Sequence, residues 1–514
     1  MTNEPLPPVV DSPEAESDRT LDRMEAPLPK SPGRKKTFDF NLVQSVFIKA
    51  SLVLSIVLVV FFVVHELTDR SFKIQPFSLP ANLTEQGYTG ELFATSVAND
   101  LNAIISIANE RRTLNELDEY NESSGRVEVK LEVGGIAVSP EAISSYLKPI
   151  LGIEQRRISG AVIKTNESLV LVLNVSGQPQ QFIEQKLDSM NTHEALGILS
   201  LKAAEEILKV HNHLLAGLYY YAENEFDKAI KHFRASIYEQ PEYIGTAYAH
   251  WGDAFLVLTD GKDTTSVGKL IRKGLEHDPD NSTAYRILGN MYNRFSPEKA
   301  EIFYRKSVEL DPTSERSWFR LASHLSRDPK NDDEAIASYK NAIELYPKNT
   351  YALARLAELL YLKGEYEKAS ETIQRFQYLE PDYRFSALAQ AVGVALSEAA
   401  GDSSKTLPSI AEFPDKRFIS DELNSIAFNC ELRGKYETGF RLVKLSLIAD
   451  STYDTPYTTL AELHALTGNK EGFFKYIEKA FQKGFPIEEV LVQDEPYKTM
   501  ASDERFRKLV EKYR

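Results

Sequence analysis

Five prolines, Pro241, Pro279, Pro312, Pro347 and Pro381, stand 38, 33, 35 and 34 residues apart. Each marks a helix end, because proline has no amide hydrogen to donate and its ring clashes with the preceding turn. A period near 34 is the spacing of stacked helix-turn-helix units, none of which can bury its apolar face alone. A chain punctuated in this way is confined to short paired helices that stack on one another.

Aligning on the prolines brings other positions into register. Small residues recur at Gly217, Gly252, Gly289, Ala322 and Ala357, where two helices of a pair approach closely. Tyr220, Phe233, Phe255, Tyr292, Tyr304, Trp318 and Tyr339 supply the bulk beside them, and Ala229, Ala300, Ala335 and Ala369 fall at one offset on the second helix. The run Leu356, Ala357, Leu360, Ala369, Ile373, Pro381 resembles a tetratricopeptide repeat without a gap. The resemblance extends over residues 197–514, closely through 381 and more loosely over 382–514. There Pro408 interrupts a second helix, Phe428 to Ser446 and Leu460 to Ala480 restore two pairs, and Asp503 to Tyr513 reads as a polar capping helix. The expected fold is an α-helical solenoid whose concave surface, lined by the first helix of each pair, binds proteins or peptides.

Within that resemblance, the groove-facing offsets place Arg286, Asn290, Asn293, Arg316, Arg320, Ser323 and Arg355 on the concave side. Guanidinium forks and amides offer several hydrogen bonds to one anionic group. The set is similar to part of the carboxylate clamp of chaperone-binding repeats. Arg286 and Asn290 match two clamp positions, Arg316 and Arg320 sit in the next repeat, and Arg320 departs from the asparagine that the clamp has there. Arginines also serve solvated repeat faces. His211, Asn212 and His213 carry the letters of a nuclease signature, but on one helix residues two apart point about 200° apart and share no metal easily. Cys430, the single cysteine, reads as a small buried hydrophobe.

Residues 70–190 change period. Phe72 to Phe77 alternates as a strand, and Thr89 to Asn109 sets Leu92, Phe93, Val97, Leu101, Ile104 and Ile105 on one helical face behind a Thr89 cap. Arg126 to Val133 alternates again, and Ser139, Pro140 and Glu141 start a helix ending at Gly152. Ile158 to Lys164 and Leu169 to Val175, joined by Thr165, Asn166, Glu167 and Ser168, form an antiparallel hairpin. This order predicts a small α/β domain with helices on a mixed or antiparallel sheet. In outline it is similar to the βαββ modules of bacterial envelope proteins, which serve as docking surfaces. Gly134 and Gly135 make a turn, lacking the third glycine or basic residue of a phosphate cradle.

Residues 1–40, rich in proline and small polar side chains, are expected to be a disordered cytoplasmic tail. The apolar run within 42–65 is long enough, at ~1.5 Å per residue, to cross a ~30 Å hydrocarbon layer. It reads as an uncleaved transmembrane anchor that engages the lipid bilayer. Lys30, Arg34, Lys35 and Lys36 before it, against Arg70 and Lys73 after it, put the N-terminus in the cytoplasm. The C-terminal domains would then be extracytoplasmic, as in a membrane-anchored bacterial tetratricopeptide protein on the periplasmic side of the inner membrane.

The net charge of −15 leaves no basic patch for nucleic acid. One cysteine allows no intrachain disulfide. With no phosphate loop, zinc-binding helix or nucleophile elbow, the chain is expected to be neither an enzyme nor a cofactor binder. The expected function is a membrane-anchored scaffold for partner proteins, with a homo-oligomer or a larger membrane complex as its expected assembly. Two alternatives remain open: a sensor subunit recruiting a cytosolic effector, and a chaperone-docking receptor at an organelle surface.

Overall fold

The computed structural model describes residues 49–51, 53–58, 60–61, 73–109, 130–131, 157–188, 190–380, 387–402, 409–487, 497–500 and 502–513. The chain divides into two compact units, Met1–Glu66 and Leu67–Arg514. In the first unit the described helical residues fall within 49–61. Among the described residues no helix is long and apolar enough to cross a membrane. The expected transmembrane helix over 42–65, the lipid contact and the single-pass localisation with extracytoplasmic domains are corrected accordingly. The tail before residue 40, the Ser139–Gly152 helix, the Gly134–Gly135 turn, most of Arg126–Val133, and Pro381 and Pro408 lie outside the described residues.

The second unit opens with a five-stranded sheet of order β2-β1-β3-β4-β5, built from β1 (Lys73–Ile74), β2 (Lys130–Leu131), β3 (Arg157–Lys164), β4 (Ser168–Val175) and β5 (Gln181–Lys186). β1 runs parallel to both β2 and β3, while β3–β4 and β4–β5 are antiparallel, so the sheet is mixed. The alternating runs at 158–175 make the hairpin, its turn closed by the Thr165 hydroxyl, which accepts from Ser168 N at 2.9 Å. β5 had escaped the sequence reading, although Gln181 to Lys186 alternates for six residues. Helix α1 (Gly90–Asn109) begins where Leu92 N donates to the Thr89 hydroxyl at 3.1 Å.

Helix α2 (Thr192–His211) lies against β4 and β5 and also against α1. Leu169, Leu171 and Leu173 of the sheet therefore share one core with Leu199, Ala203 and Ile207 of α2 and with Leu215, Leu218 and Phe233 of the first repeat. The sheet thus closes the first end of the solenoid. Helix α3 (His213–Ala222) follows after a break at Asn212, whose φ of −152° and ψ of 100° are extended. His211 and His213 consequently do not share a helix, contrary to the sequence reading. His213 Nδ1 meets His232 Nδ1 at 3.0 Å, and burial pushes His232 down to about 4.

The pairs continue as α3 with α4 (Phe226–Glu239), α5 (Ile244–Leu258) with α6 (Thr264–His277), α7 (Ser282–Tyr292) with α8 (Pro297–Leu310), α9 (Glu315–Leu325) with α10 (Asp332–Leu345), and α11 (Thr350–Lys363) with α12 (Tyr366–Leu379). α13 (Ala387–Ala399) is followed by α14 (Lys416–Leu432) with α15 (Tyr436–Ala449), and by α16 (Thr455–Leu466) with α17 (Lys470–Gln482). α18 (Tyr497–Met500) and α19 (Glu504–Tyr513) close the second end, where Phe473, Phe506 and Val510 share a core.

Two local rules generate the pairs. Two residues after a proline stands an Asn or Ser that caps the next first helix: Asn281 accepts from Ala284 N at 2.8 Å, Ser314 from Ser317 N at 3.2 Å, and Asn349 from Ala352 N at 2.8 Å. Small residues then admit the partner helix, on the first helix at Gly217, Gly289 and Ala357 and on the second at Ser236, Gly274, Ser307 and Ala342. A Cβ added at Gly217 would stand 2.5 Å from a Phe233 ring carbon. Gly217→Ala should therefore lower stability by about 1–3 kcal/mol through overpacking, read as a lower denaturation midpoint with unchanged m-value; an unchanged midpoint would show that the ring has room to move.

Candidate functional site

The first helices α7, α9 and α11 present their inner stripe at residues three and four apart. Arg316, Arg320, Ser323 and Arg327 run up α9 and its end, and Tyr351, Arg355, Glu358 and Leu362 run up α11. The structure does not assemble the expected residues into one clamp. Arg286 is buried, with Nη1 3.8 Å from Asp253 Oδ2, and Asp253 also accepts from the Tyr221 hydroxyl at 3.2 Å. Asn290 accepts from Tyr304 Oη at 3.0 Å, so its amide oxygen anchors the ring packed over Gly289. Asn293 Oδ1 meets His324 Nδ1 at 2.9 Å and accepts from Arg327 Nη1 at 3.1 Å. Arg316 is half-buried, and Arg320 is exposed with its guanidinium 5.9 Å from the Phe319 ring centre.

Ser323 and Arg355 do come together, as walls of a 380 Å³ cavity that also contacts Ser326, Arg327, Tyr339, Tyr351, Glu358, Leu359, Leu362, Ser425 and Asn429. Arg355 donates through Nη1 to Glu358 Oε2 at 2.8 Å and through Nη2 to Tyr351 Oη at 3.0 Å. Glu358 takes its other bond from Asn429 Nδ2 at 2.9 Å, so α14 reaches back across α13 to α11.

A latch closes the same side. Arg433, at the end of α14, grips Asp332 at the start of α10 with two bonds, Nη2–Oδ1 at 2.7 Å and Nε–Oδ2 at 3.1 Å. It donates further to the carbonyls of Ser326 at 2.9 Å and Asn429 at 3.1 Å. Both side chains are withdrawn from water, 5% and 11% exposed. A fork-to-carboxylate pair with two further donors bonded to carbonyls is the geometry in which a buried charge pair holds. The two residues are 101 positions apart, and no spacing rule joins them; only the fold shows the site.

Farther along the inner face the sign of charge reverses. Glu431 of α14 is 7% exposed, and its Oε2 has no hydrogen-bond partner. Burial, then the nearby Glu462 of α16, push its carboxyl up to about 8. Glu462 accepts from Tyr497 Oη of α18 at 2.6 Å. Cys430 beside Glu431 is fully buried, and burial pushes its thiol up to about 12, which suits a packing residue. Among the described residues no group of three or more His, Cys, Asp or Glu could hold a metal ion.

Two predictions follow from these charges. Asp332→Ala leaves Arg433 buried without its carboxylate and should cost roughly 3–5 kcal/mol, measured by denaturant unfolding; a loss below about 1 kcal/mol would mean that water already serves the guanidinium. For Glu431 the folded-state value lies above the ordinary one of 4.5, so the folded chain holds a proton that the unfolded chain releases. Its contribution to stability is then fully present below the ordinary value and is lost as pH rises through about 8. Glu431→Gln should flatten the melting temperature between those limits and raise it at the alkaline end. An unaltered pH profile in the variant would place the titration elsewhere.

Residues 330–392 match a family model described as tetratricopeptide repeat. The chain is similar to human RANBP2-like and GRIP domain-containing protein 8, with 33% identity over 110 residues that make up 21% of this chain and 6% of that protein. It is similar also to a TPR repeat-containing protein of Methanocaldococcus jannaschii, with 25% identity over 229 residues, 38% of this chain and 40% of the relative. The chain thus spans only a small part of the first relative and less than half of the second. Among solved structures it is similar to the APC/C hetero-tetramer Cut9-Hcn1, at 12% identity and a TM-score of 0.36, covering 63% of this chain and 64% of that one. The matched stretch, which is similar to a tetratricopeptide repeat, contains Tyr339, Tyr351, Arg355 and Glu358 of the cavity wall.

Proposed function

We propose that the chain is a non-catalytic scaffold that binds partner proteins or peptides on the inner face of its repeats. Tetratricopeptide repeats generally mediate protein–protein interactions. The observation that carries the reading is the α9 stripe, where Arg320 is exposed and Arg316 and Ser323 are half-buried. Those side chains contribute little to the apolar core, and an arginine-lined surface recognises carboxylates on a partner through directional hydrogen bonds. The acidic balance of the chain disfavours nucleic acid as that partner. Arg286 and Asn290, spent on Asp253 and Tyr304, set the spacing of the stripe; Arg316, Arg320, Ser323 and Arg355 make the contact.

The test is a photo-crosslinking side chain placed in intact cells at position 320 on the inner stripe and, separately, at Ile302, which is 65% exposed on the second helix α8. Adducts with other proteins are expected from 320 and not from 302. Adducts of equal yield from both positions, or none from 320, would overturn the inner face as the binding surface.

A further inference from the structure

We propose that the cavity between α9, α11 and α14 is a site for one small ligand of amino-acid size carrying a single carboxylate. At 380 Å³ it stands at the low end of the ~300–1,000 Å³ range of small-molecule sites. Its lining combines the buried side chains of Tyr339, Leu359 and Leu362 with the hydroxyls of Ser323, Ser326 and Ser425, the Asn429 amide and the charged Arg327, Arg355 and Glu358. A mainly polar lining with a few apolar side chains suits a small polar ligand.

The charges select the ligand. Arg355 is balanced by Glu358, which spends both oxygens, one on Arg355 and one on Asn429. Glu422, the other carboxyl acting on Arg355, is held above the ordinary range by burial. Arg327 faces the cavity differently: its guanidinium bonds only the neutral carbonyl and amide oxygens of Asn293, at 3.4 and 3.1 Å. One guanidinium thus meets the cavity without a carboxylate bonded to it, and one carboxylate is the complement. A phosphate would bring up to two negative charges and would want a cradle of backbone amides, whereas side chains make this wall. The Arg433–Asp332 latch and the Asn429–Glu358 bond close the α14 side, so an amino-acid-sized molecule suits the space better than an extended chain.

This goes beyond the scaffold reading and does not depend on it, since crosslinking at position 320 is read without any small molecule. The test is calorimetric titration of the full chain with three probes: N-acetyl-L-glutamate, N-acetyl-L-glutamine amide, and a capped Ala-Ala-Glu-Ala-Ala peptide. N-acetyl-L-glutamate should bind with one-to-one stoichiometry and raise the melting temperature, and the amide should do neither. Arg327→Gln should weaken binding about tenfold or more, the loss of one charge-assisted contact. Ser425→Leu, which fills the cavity and touches no ion pair, should abolish it while the circular dichroism of the unliganded chain is unchanged.

Equal binding of acid and amide, or acid binding that survives both substitutions, would overturn the proposal. So would the absence of any heat or melting shift with N-acetyl-L-glutamate at millimolar concentration. Binding of the capped peptide alone would overturn the small-ligand assignment and hand the cavity to an acidic side chain of a protein partner.

Discussion

The structure depends on a ring seated against a residue with almost no side chain. Phe233 fills the notch left by Gly217, and Tyr304 fills that left by Gly289. Each ring brings the two helices of a pair to one separation, and the repeat of that separation makes the pairs stack instead of splay. Phe233, Tyr304 and Tyr339 are among the largest fully buried side chains, so each pair commits a large ring to this one contact. A buried phenol also requires a partner for its hydroxyl. Tyr304 finds Asn290, and the packing code therefore consumes an amide that the sequence alone offers to a ligand.

The same economy runs along the inner face. Tyr221 and Arg286 meet at Asp253, His324 and Arg327 meet at Asn293, and Arg355 and Asn429 meet at Glu358. In each case a polar side chain on one first helix is answered by a neighbouring first helix. Removing either member would leave the other dehydrated and unpaired, which costs far more than the pair itself contributes. These bonds consequently fix which helix face lies opposite which. The inner surface is less an open channel than a set of matched polar contacts with gaps between them, and the gap bounded by α9, α11 and α14 is the cavity.

How far this was legible follows from the range of each interaction. The small and aromatic positions repeat with the prolines, so the helical pairs could be read from a single period. The hairpin at 158–175 and the Thr89 cap rest on contacts a few residues long and were equally visible. The break at Asn212 was not, because helix period persists on both sides while one residue turns extended. The apolar run at 42–65 satisfied a hydropathy rule, yet among the described residues no helix is long and apolar enough to cross a membrane. The offset singles out Arg286, but burial and Asp253 decide its role, and neither is written in the offset. Arg433 and Asp332 lay beyond reach, since they stand 101 positions apart in the chain and only the stacking of the helices brings them together.

Helix α14 shows what that curvature does with charge. Its last residues point two ways: Glu431 toward Glu462 and the end of the stack, Arg433 back toward Asp332 and the middle. The backward contact joins opposite charges through two bonds, so it persists over any pH at which carboxylates are ionised. The forward contact sets two carboxyls side by side, with Tyr497 donating to Glu462, so it is favoured while Glu431 keeps its proton. Titration of Glu431 thus acts on the junction between α14, α16 and α18. The two halves of the inner face are held by interactions of different chemistry: ion pairs in the middle, where the arginines and the cavity lie, and a protonated carboxyl toward the end of the stack.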